Sequence, residues 1–276
     1  MKISISSLAW DVPEDESVAA LLRKYGIDTI DIVPNKYFPE LKKAEASEIA
    51  RVREDWDRRG IKIAGMQALL FEVKGLNLFG AHEMQKALLT HLEAVCRIGA
   101  GLGAGRLVFG SPKNRDRSLL TDEEARRTAV DFFRRLGGIA AGHGMVICLE
   151  PNPACYGSNF MMNSADTASI VSEVGHAAIR MQFDTGALTI NHEDPFRIVA
   201  EYAPLIGHVH ASEPDLVTLG DGKTDHAKAA SALRGRLPDQ IVSIEMLPAK
   251  KELNLAAIER ALGVAIKHYR GIDHHG

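Results

Sequence analysis

The chain has 276 residues, of which 46% are hydrophobic and 25% charged, and its formal net charge is −3. That balance suits a folded globular domain with a large core, and excludes both the basic stripe of a nucleic-acid binder and the charge bias of a disordered chain. Lys2–Ser7 is already strand-like, with no basic and apolar leader before it, and no apolar run nears the roughly 20 residues that span a bilayer.

In chain order, Ile3–Leu8 predicts strand one, ending at Trp10-Asp11. Ser17–Tyr25 is amphipathic and closes at Gly26, which predicts a helix. Ile27–Val33 is strand two, Ala44–Arg59 a charged helix closed by Gly60, and Ile61–Leu69 strand three. A longer loop, Glu72–Phe79, leads to a helix over Ala81–Ile98, with Met84, Leu88, Leu92 and Val95 at helical spacing. Arg106–Phe109 is strand four. Thr121 and Glu124 form a capping box that opens the next helix, and Gly142-His143-Gly144 ends it.

Val146–Glu150 is strand five, stopped by Pro151. Its loop, Asn152–Met162, leads to a helix capped near Asn163 or Ser164. Ile179–Asp184 is strand six, and Asp194-Pro195 is an N-cap followed by proline at the first helical position. Leu205–His210 is strand seven, followed by a long loop, Ala211–Asp225, and a helix over His226–Arg234. Gln240–Glu245 is strand eight, and Leu255–Tyr269 the closing helix. Strands alternating with helices imply parallel pairing with right-handed crossovers. Eight repeats without a linker predict one α/β domain over residues 1–276, a closed (β/α)8 barrel. An open doubly wound sheet would carry a glycine-rich turn after strand one, and Leu8–Asp11 has none.

Four consecutive predicted strands, five to eight, end in Glu150, Asp184, His210 and Glu245. Neighbouring strands lie about 4.8 Å apart, so four adjacent ends can converge on one ion. Three carboxylates and one imidazole suit a divalent metal: Mn, Mg, Co or Zn. By side-chain alternation, the residues two before each ligand, Cys148, Gln182, His208 and Ser243, form a layer beneath. His208 and Gln182 are then candidates for orienting the ligands from below, against the plainer reading of His208 as a satisfied core histidine. Cys96, Cys148 and Cys155 are odd in number and lack CxxC spacing, which suits free thiols in a reducing cytoplasm.

The runs CLEPNP at 148–153, FDTG at 183–186, HVHASEPD at 208–215 and SIEM at 243–246 resemble the xylose-isomerase-like sugar phosphate isomerase/epimerase superfamily. That group includes the ketose 3-epimerases and, more distantly, the endonuclease IV type. The resemblance covers essentially the whole chain and implies a TIM barrel. It implies that Glu150, Asp184, His210 and Glu245 hold one metal. It further implies that Glu150 and Glu245 act as acid and base on opposite faces of a sugar, through a metal-stabilised enediolate. Two departures bear on substrate. The histidine of a DxxH motif is absent from Asp184–Leu188, and Leu216-Val217 stands where an arginine usually follows the strand-seven acidic pair.

The loops supply further candidates. Glu213 resembles a substrate-contacting acid, and His226 stands where relatives often carry a pocket residue. Lys113, Arg115 and Lys223 are candidates for an anionic group, or solvated loop charges. Trp10 and Phe71 are candidates for an apolar wall, although Trp10 also suits the core. The function expected is therefore a cytoplasmic, metal-dependent isomerase or epimerase of a small sugar or sugar phosphate, without nucleic-acid or membrane partners and with room for a homo-oligomer. The alternatives are a dehydratase of a polyol-like keto compound using the same site, an endonuclease IV-type phosphodiester hydrolase, or a non-catalytic sugar-phosphate-binding barrel.

Overall fold

The computed structural model describes residues 1–71 and 73–270; Glu72, the first residue of the expected loop, lies outside them. Eight parallel strands close in sequence order: β1 (Lys2–Ser6), β2 (Thr29–Ile32), β3 (Lys62–Met66), β4 (Arg106–Phe109), β5 (Val146–Leu149), β6 (Ile179–Asp184), β7 (Ile206–Ser212) and β8 (Ile241–Glu245). β8 pairs back onto β1, Lys2 opposite Ile241 and Ile5 opposite Ile244. The expected (β/α)8 barrel is what forms. Helices cover such strands outside and side chains fill the ring inside, so both faces of each strand must be buried. β7 shows this most fully, with all seven residues buried.

The helices are α1 (Asp15–Lys24), α2 (Pro34–Tyr37), α3 (Ala46–Arg58), α4 (His82–Leu102), α5 (Asp122–Gly142), α6 (Ser164–Val174), α7 (Thr185–Ile190), α8 (Pro195–Tyr202), α9 (His226–Arg236) and α10 (Asn254–Tyr269). Their starts follow the caps. Thr121 Oγ1 accepts from the Glu124 amide at 3.3 Å and the Glu124 carboxylate accepts from the Thr121 amide at 2.9 Å. Asn163, not Ser164, caps α6, and Asp194 caps α8. No described helix is long and apolar enough to cross a membrane.

Strand three ends at Met66 rather than Leu69, and three further differences from expectation shape the packing and the site. α4 continues past Ile98 to Leu102. Gly99 and Gly101 do not stop the helix; they let it pack closely, since a Cβ on Gly101 would stand 2.6 Å from Ile49 Cγ2 on α3. β7 runs on to Ser212, because Ala211 and Ser212 pair with Ile244 and Glu245 of β8. His210 therefore lies inside its strand rather than at the end. Finally, α7 follows β6 directly, and Asp184 caps it.

Trp10 and Trp56 meet edge to face at 6.4 Å between ring centres in the core beside α1 and α3. The Trp10 indole N–H donates to Asp15 Oδ1 at 2.7 Å, and the Tyr37 hydroxyl donates to the same oxygen at 3.0 Å. A buried indole with its one donor satisfied is a stable core element. Trp56→Ala should cost about 3–5 kcal/mol in urea unfolding, the usual range for a buried aromatic truncated to alanine. A loss under about 1 kcal/mol would mean the pair does not anchor this side of the barrel.

Candidate metal centre

Glu150 follows β5 directly, Asp184 ends β6, His210 lies in β7 and Glu245 ends β8. One ligand atom from each lies within 4.8 Å of the others. His210 Nδ1 is at the centre: 3.2 Å from Glu150 Oε1, 3.2 Å from Glu245 Oε2 and 3.9 Å from Asp184 Oδ2. Yet neither ring nitrogen of His210, nor Glu150 Oε1, makes a hydrogen bond. Groups this close that do not point at one another face a common point, as ligands on neighbouring vertices of a coordination shell do. Hard carboxylate oxygens and one imidazole are a fitting donor set for a divalent ion.

The two glutamates are held alike. Glu245 Oε1 accepts from the Gln67 amide at 2.7 Å, leaving Oε2 toward His210. Glu150 Oε2 accepts from the Asn152 amide at 3.2 Å, leaving Oε1 toward His210. Asn152 is itself fixed by Arg115, whose buried guanidinium donates to Asn152 Oδ1 at 2.5 Å and to the Glu150 carbonyl at 2.8 Å. Asp184 spends neither oxygen on an amide side chain. Its Oδ1 accepts from the Ala187 N–H at 2.6 Å and its Oδ2 from the Ser212 hydroxyl at 2.7 Å. Gly110 gives Glu150 its room, since a Cβ there would collide with the carboxylate.

Charge crowding shows in the acidities. Burial, with Glu150 and Glu245 adding like charge, pushes Asp184 up to about 7. Burial would lower His210, but the Glu245 and Glu150 carboxylates outweigh it and hold the imidazole well above its ordinary value. Burial would raise Glu150, but His210, Asn152 and Arg115 hold it below the usual carboxylate range.

While His210 is fully buried and outside the lining, Glu150, Asp184 and Glu245 form the floor of a cavity of about 540 Å³ at the C-terminal end of the barrel. Its walls come from the loops after the strands, including Leu69–Phe71, Ser111-Pro112, Pro153, Tyr156, Leu216 and Leu247. Functional sites of this fold lie at that end.

A family model described as xylose isomerase-like TIM barrel matches residues 19–266. The chain belongs to that family. No curated protein matches the sequence. Among solved structures, a D-psicose 3-epimerase crystallised with D-fructose superposes with a TM-score of 0.81 at 19% identity, over 98% of this chain and 100% of that one. The 3-keto-D-glucoside 4-epimerase of E. coli gives 0.77 at 18% identity, over 95% and 98%. The IolI protein with a bound zinc atom gives 0.75 at 19% identity, over 98% of each chain. At such identities these likenesses establish the shared barrel.

Against this family background the loop candidates separate. Glu213 lines the cavity, but its carboxylate is committed to its own loop: Oε1 accepts from the Gly220 N–H at 2.9 Å and meets His226 Nε2 at 3.0 Å, and Oε2 accepts from the Thr224 N–H at 3.0 Å. Burial opposes ionisation there, yet the His226, Thr224 and Gly220 donors pull Glu213 down to about 2. His226 does not reach the cavity. It is buried between Glu213 and the Tyr269 hydroxyl, 2.8 Å from Nδ1. Trp10 also stays out, held in the core by Asp15. Lys113 is exposed outside the lining, and Arg115 is turned inward to the β5 loop instead of toward an anion. Phe71 does line the cavity.

Beneath the floor, His208 sits between two partners. Its Nδ1 meets the Gln182 amide at 3.2 Å and its Nε2 lies 2.9 Å from Asp31 Oδ2. The His208 and His210 rings cross edge to face at 5.2 Å. Asp31 escaped the sequence reading, though a carboxylate inside the apolar run Ile27–Val33 was a signal. Gln67 and Asn152 carried none: one reads as an ordinary strand residue and the other as a turn residue after proline.

Two outcomes are expected. Gly110→Ala should weaken divalent-ion affinity by about tenfold or more, as displaced ligand-orienting contacts do, while the melting temperature stays within a few degrees; unchanged affinity would show that Glu150 needs no such room. Second, Asp184 and His210 both hold protons more tightly than usual when no cation is bound, so a cation must displace them. Affinity for Mn²⁺ should therefore fall as pH drops below about 7, and calorimetry in buffers of different ionisation heat should show proton release near pH 6.5. Pure binding heat with no buffer dependence would contradict the assigned acidities.

Proposed function

We propose that this chain is a divalent-metal-dependent isomerase or epimerase acting next to the carbonyl of a small uncharged sugar. One observation carries the reading. Glu150 and Glu245 flank His210 at the same 3.2 Å, each with one oxygen turned inward and the other gripped by a primary amide. A reaction that removes a proton from one face of a carbon and returns one to the other needs two such matched carboxylates. Glu150, Asp184, His210 and Glu245 are the residues that would hold the metal, and a bound ion would polarise the sugar carbonyl.

The amide grips of Gln67 and Asn152 would fix the direction of each glutamate, so that proton transfer needs no side-chain search. His208 and Gln182 would steady the His210 ring from below. The substrate is taken as unphosphorylated because no lysine or arginine occurs among the described residues lining the cavity. A buried phosphate without a cationic partner would be strongly disfavoured. Dehydration of a keto compound starts with the same proton removal and is distinguished by a product lighter by one water.

Glu150→Gln keeps size and one oxygen but removes the base. It should lower epimerisation by about 10²–10⁴-fold, with solvent deuterium no longer entering the carbon next to the carbonyl. Metal content should be measured alongside. A Glu150→Gln protein that keeps its metal and its exchange rate would remove the two-carboxylate assignment.

A further inference from the structure

We infer that the sugar this cavity takes carries an apolar substituent: a neutral keto-glycoside with an apolar aglycone rather than a bare ketose. The inference rests on the proposed sugar site and deepens it. The cavity has two zones of opposite character. Its polar side chains, Gln67, Glu150, Asn152, Asp184, Ser212 and Glu245, gather at the floor. Above them the walls are largely apolar: Leu8, Leu70, Phe71, Leu216 and Leu247.

The other polar groups of the lining are few and partly used: the Glu213 carboxylate is committed to its own loop, and Asp215 stands exposed at the mouth. Ser111 donates its hydroxyl hydrogen to Asn114 Oδ1 at 2.6 Å, and the Tyr156 hydroxyl accepts from the Asp215 N–H at 2.7 Å. A bare ketose carries a hydroxyl on almost every carbon. Its far end would press several of them against hydrocarbon without partners, which is unfavourable for each. An aglycone there reverses the sign.

Size agrees. A cavity of about 540 Å³ falls within the roughly 300–1,000 Å³ typical of drug-sized ligands, so a single hexose leaves much of it unfilled. The mouth also exposes apolar surface: Phe71 is 50% and Leu247 40% accessible. The backbone holds that mouth in place under strain. Asp215 and Leu216 have φ of 59° and 51°, in the left-handed region, and the Leu247 N–H donates to the Leu216 carbonyl at 2.9 Å. Non-glycine residues persist there when their surroundings over-determine them, commonly at ligand sites. In a glycoside the anomeric carbon is locked as an acetal. The carbonyl that activates the neighbouring C–H must then lie at another ring carbon.

The test is calorimetry on the full-length, Mn²⁺-loaded protein with a keto-hexose and its methyl, butyl and phenyl glycosides. The phenyl glycoside should bind roughly ten- to a hundredfold more tightly than the bare keto-hexose, as burial of about 100 Å² of apolar surface implies. In Leu247→Ser that ratio should fall toward one. Equal or weaker binding of the phenyl glycoside overturns the inference, as does a ratio unmoved by Leu247→Ser. Sedimentation covers the remaining occupant: self-association that Leu247→Ser abolishes, with no gain from the aglycone, assigns the mouth to a second copy of the chain and overturns the inference. Deuterium exchange into the same compounds reports separately on the proposed chemistry. Exchange without aglycone preference sinks the inference alone; preference without exchange sinks the isomerase reading and leaves the pocket assignment standing.

Discussion

Three carboxylates, two buried and one half-buried, around one buried imidazole are the constraint on which the rest of this barrel depends. Ionised and close together, they repel, and each would be costly to bury alone. The fold answers with oriented donors. Asp184 takes a helix N-terminus and a serine hydroxyl, while Glu150 and Glu245 each take a primary amide. The two glutamates each keep one oxygen free on the side of His210, and Asp184 turns toward it the same Oδ2 that accepts from Ser212. The arrangement therefore tolerates its own charge while staying receptive to a cation, whose binding would convert the repulsion into attraction.

Much of this was legible along the chain. Apolar strands ending in Glu150, Asp184 and Glu245 announce a cluster because a carboxylate at a buried strand terminus demands a partner. The barrel followed from eight repeats and their caps. The supporting residues were less legible for a physical reason. Gln67 matters through a hydrogen bond to a residue 178 positions away, and Asn152 through a brace from Arg115 that lies 37 positions before it, and an amide after a strand or in a turn has many ordinary uses. Asp184 also showed that two readings need not exclude each other: it is a helix cap through Oδ1 and a member of the cluster through Oδ2. His210 was assigned to a strand end, but pairing with β8 carries the strand two residues further, and Ser212 thereby comes level with Glu245 and reaches Asp184.

The loop candidates failed where tertiary context overrode residue type. Trp10 had the look of a sugar platform, but Asp15 and Trp56 claim it for the core. Arg115 had the look of an anion binder, but it is buried, and burial draws its pKa down to about 10 against the opposing charge of Glu150. It serves as a brace: its two bonds fix the Glu150 carbonyl and Asn152 together, so the loop after β5 keeps one conformation around the carboxylate. A positive charge thus contributes to the site without facing the cavity.

The loop from Glu213 to His226 shows how the chemistry and its walls are kept independent. Glu213, His226 and Tyr269 form a buried chain that ties the loop to α10, and Gly222 leaves room for the Glu213 carboxylate, which any larger residue would strike. Glu213 is pulled down to about 2, whereas Asp184 is pushed up to about 7. Folded acidity below the unfolded value makes Glu213 a stabilising anchor at every pH above its unfolded range, lost only as pH falls toward 2. Asp184, raised instead, favours its protonated form up to about pH 7. The two carboxylates lie on either side of Ser212, yet they titrate in separate windows. Protonation of the floor near neutral pH therefore leaves the loop that carries Leu216 fastened, and this wall of the cavity stays tied to α10 as the carboxylate–imidazole cluster takes up or releases its protons.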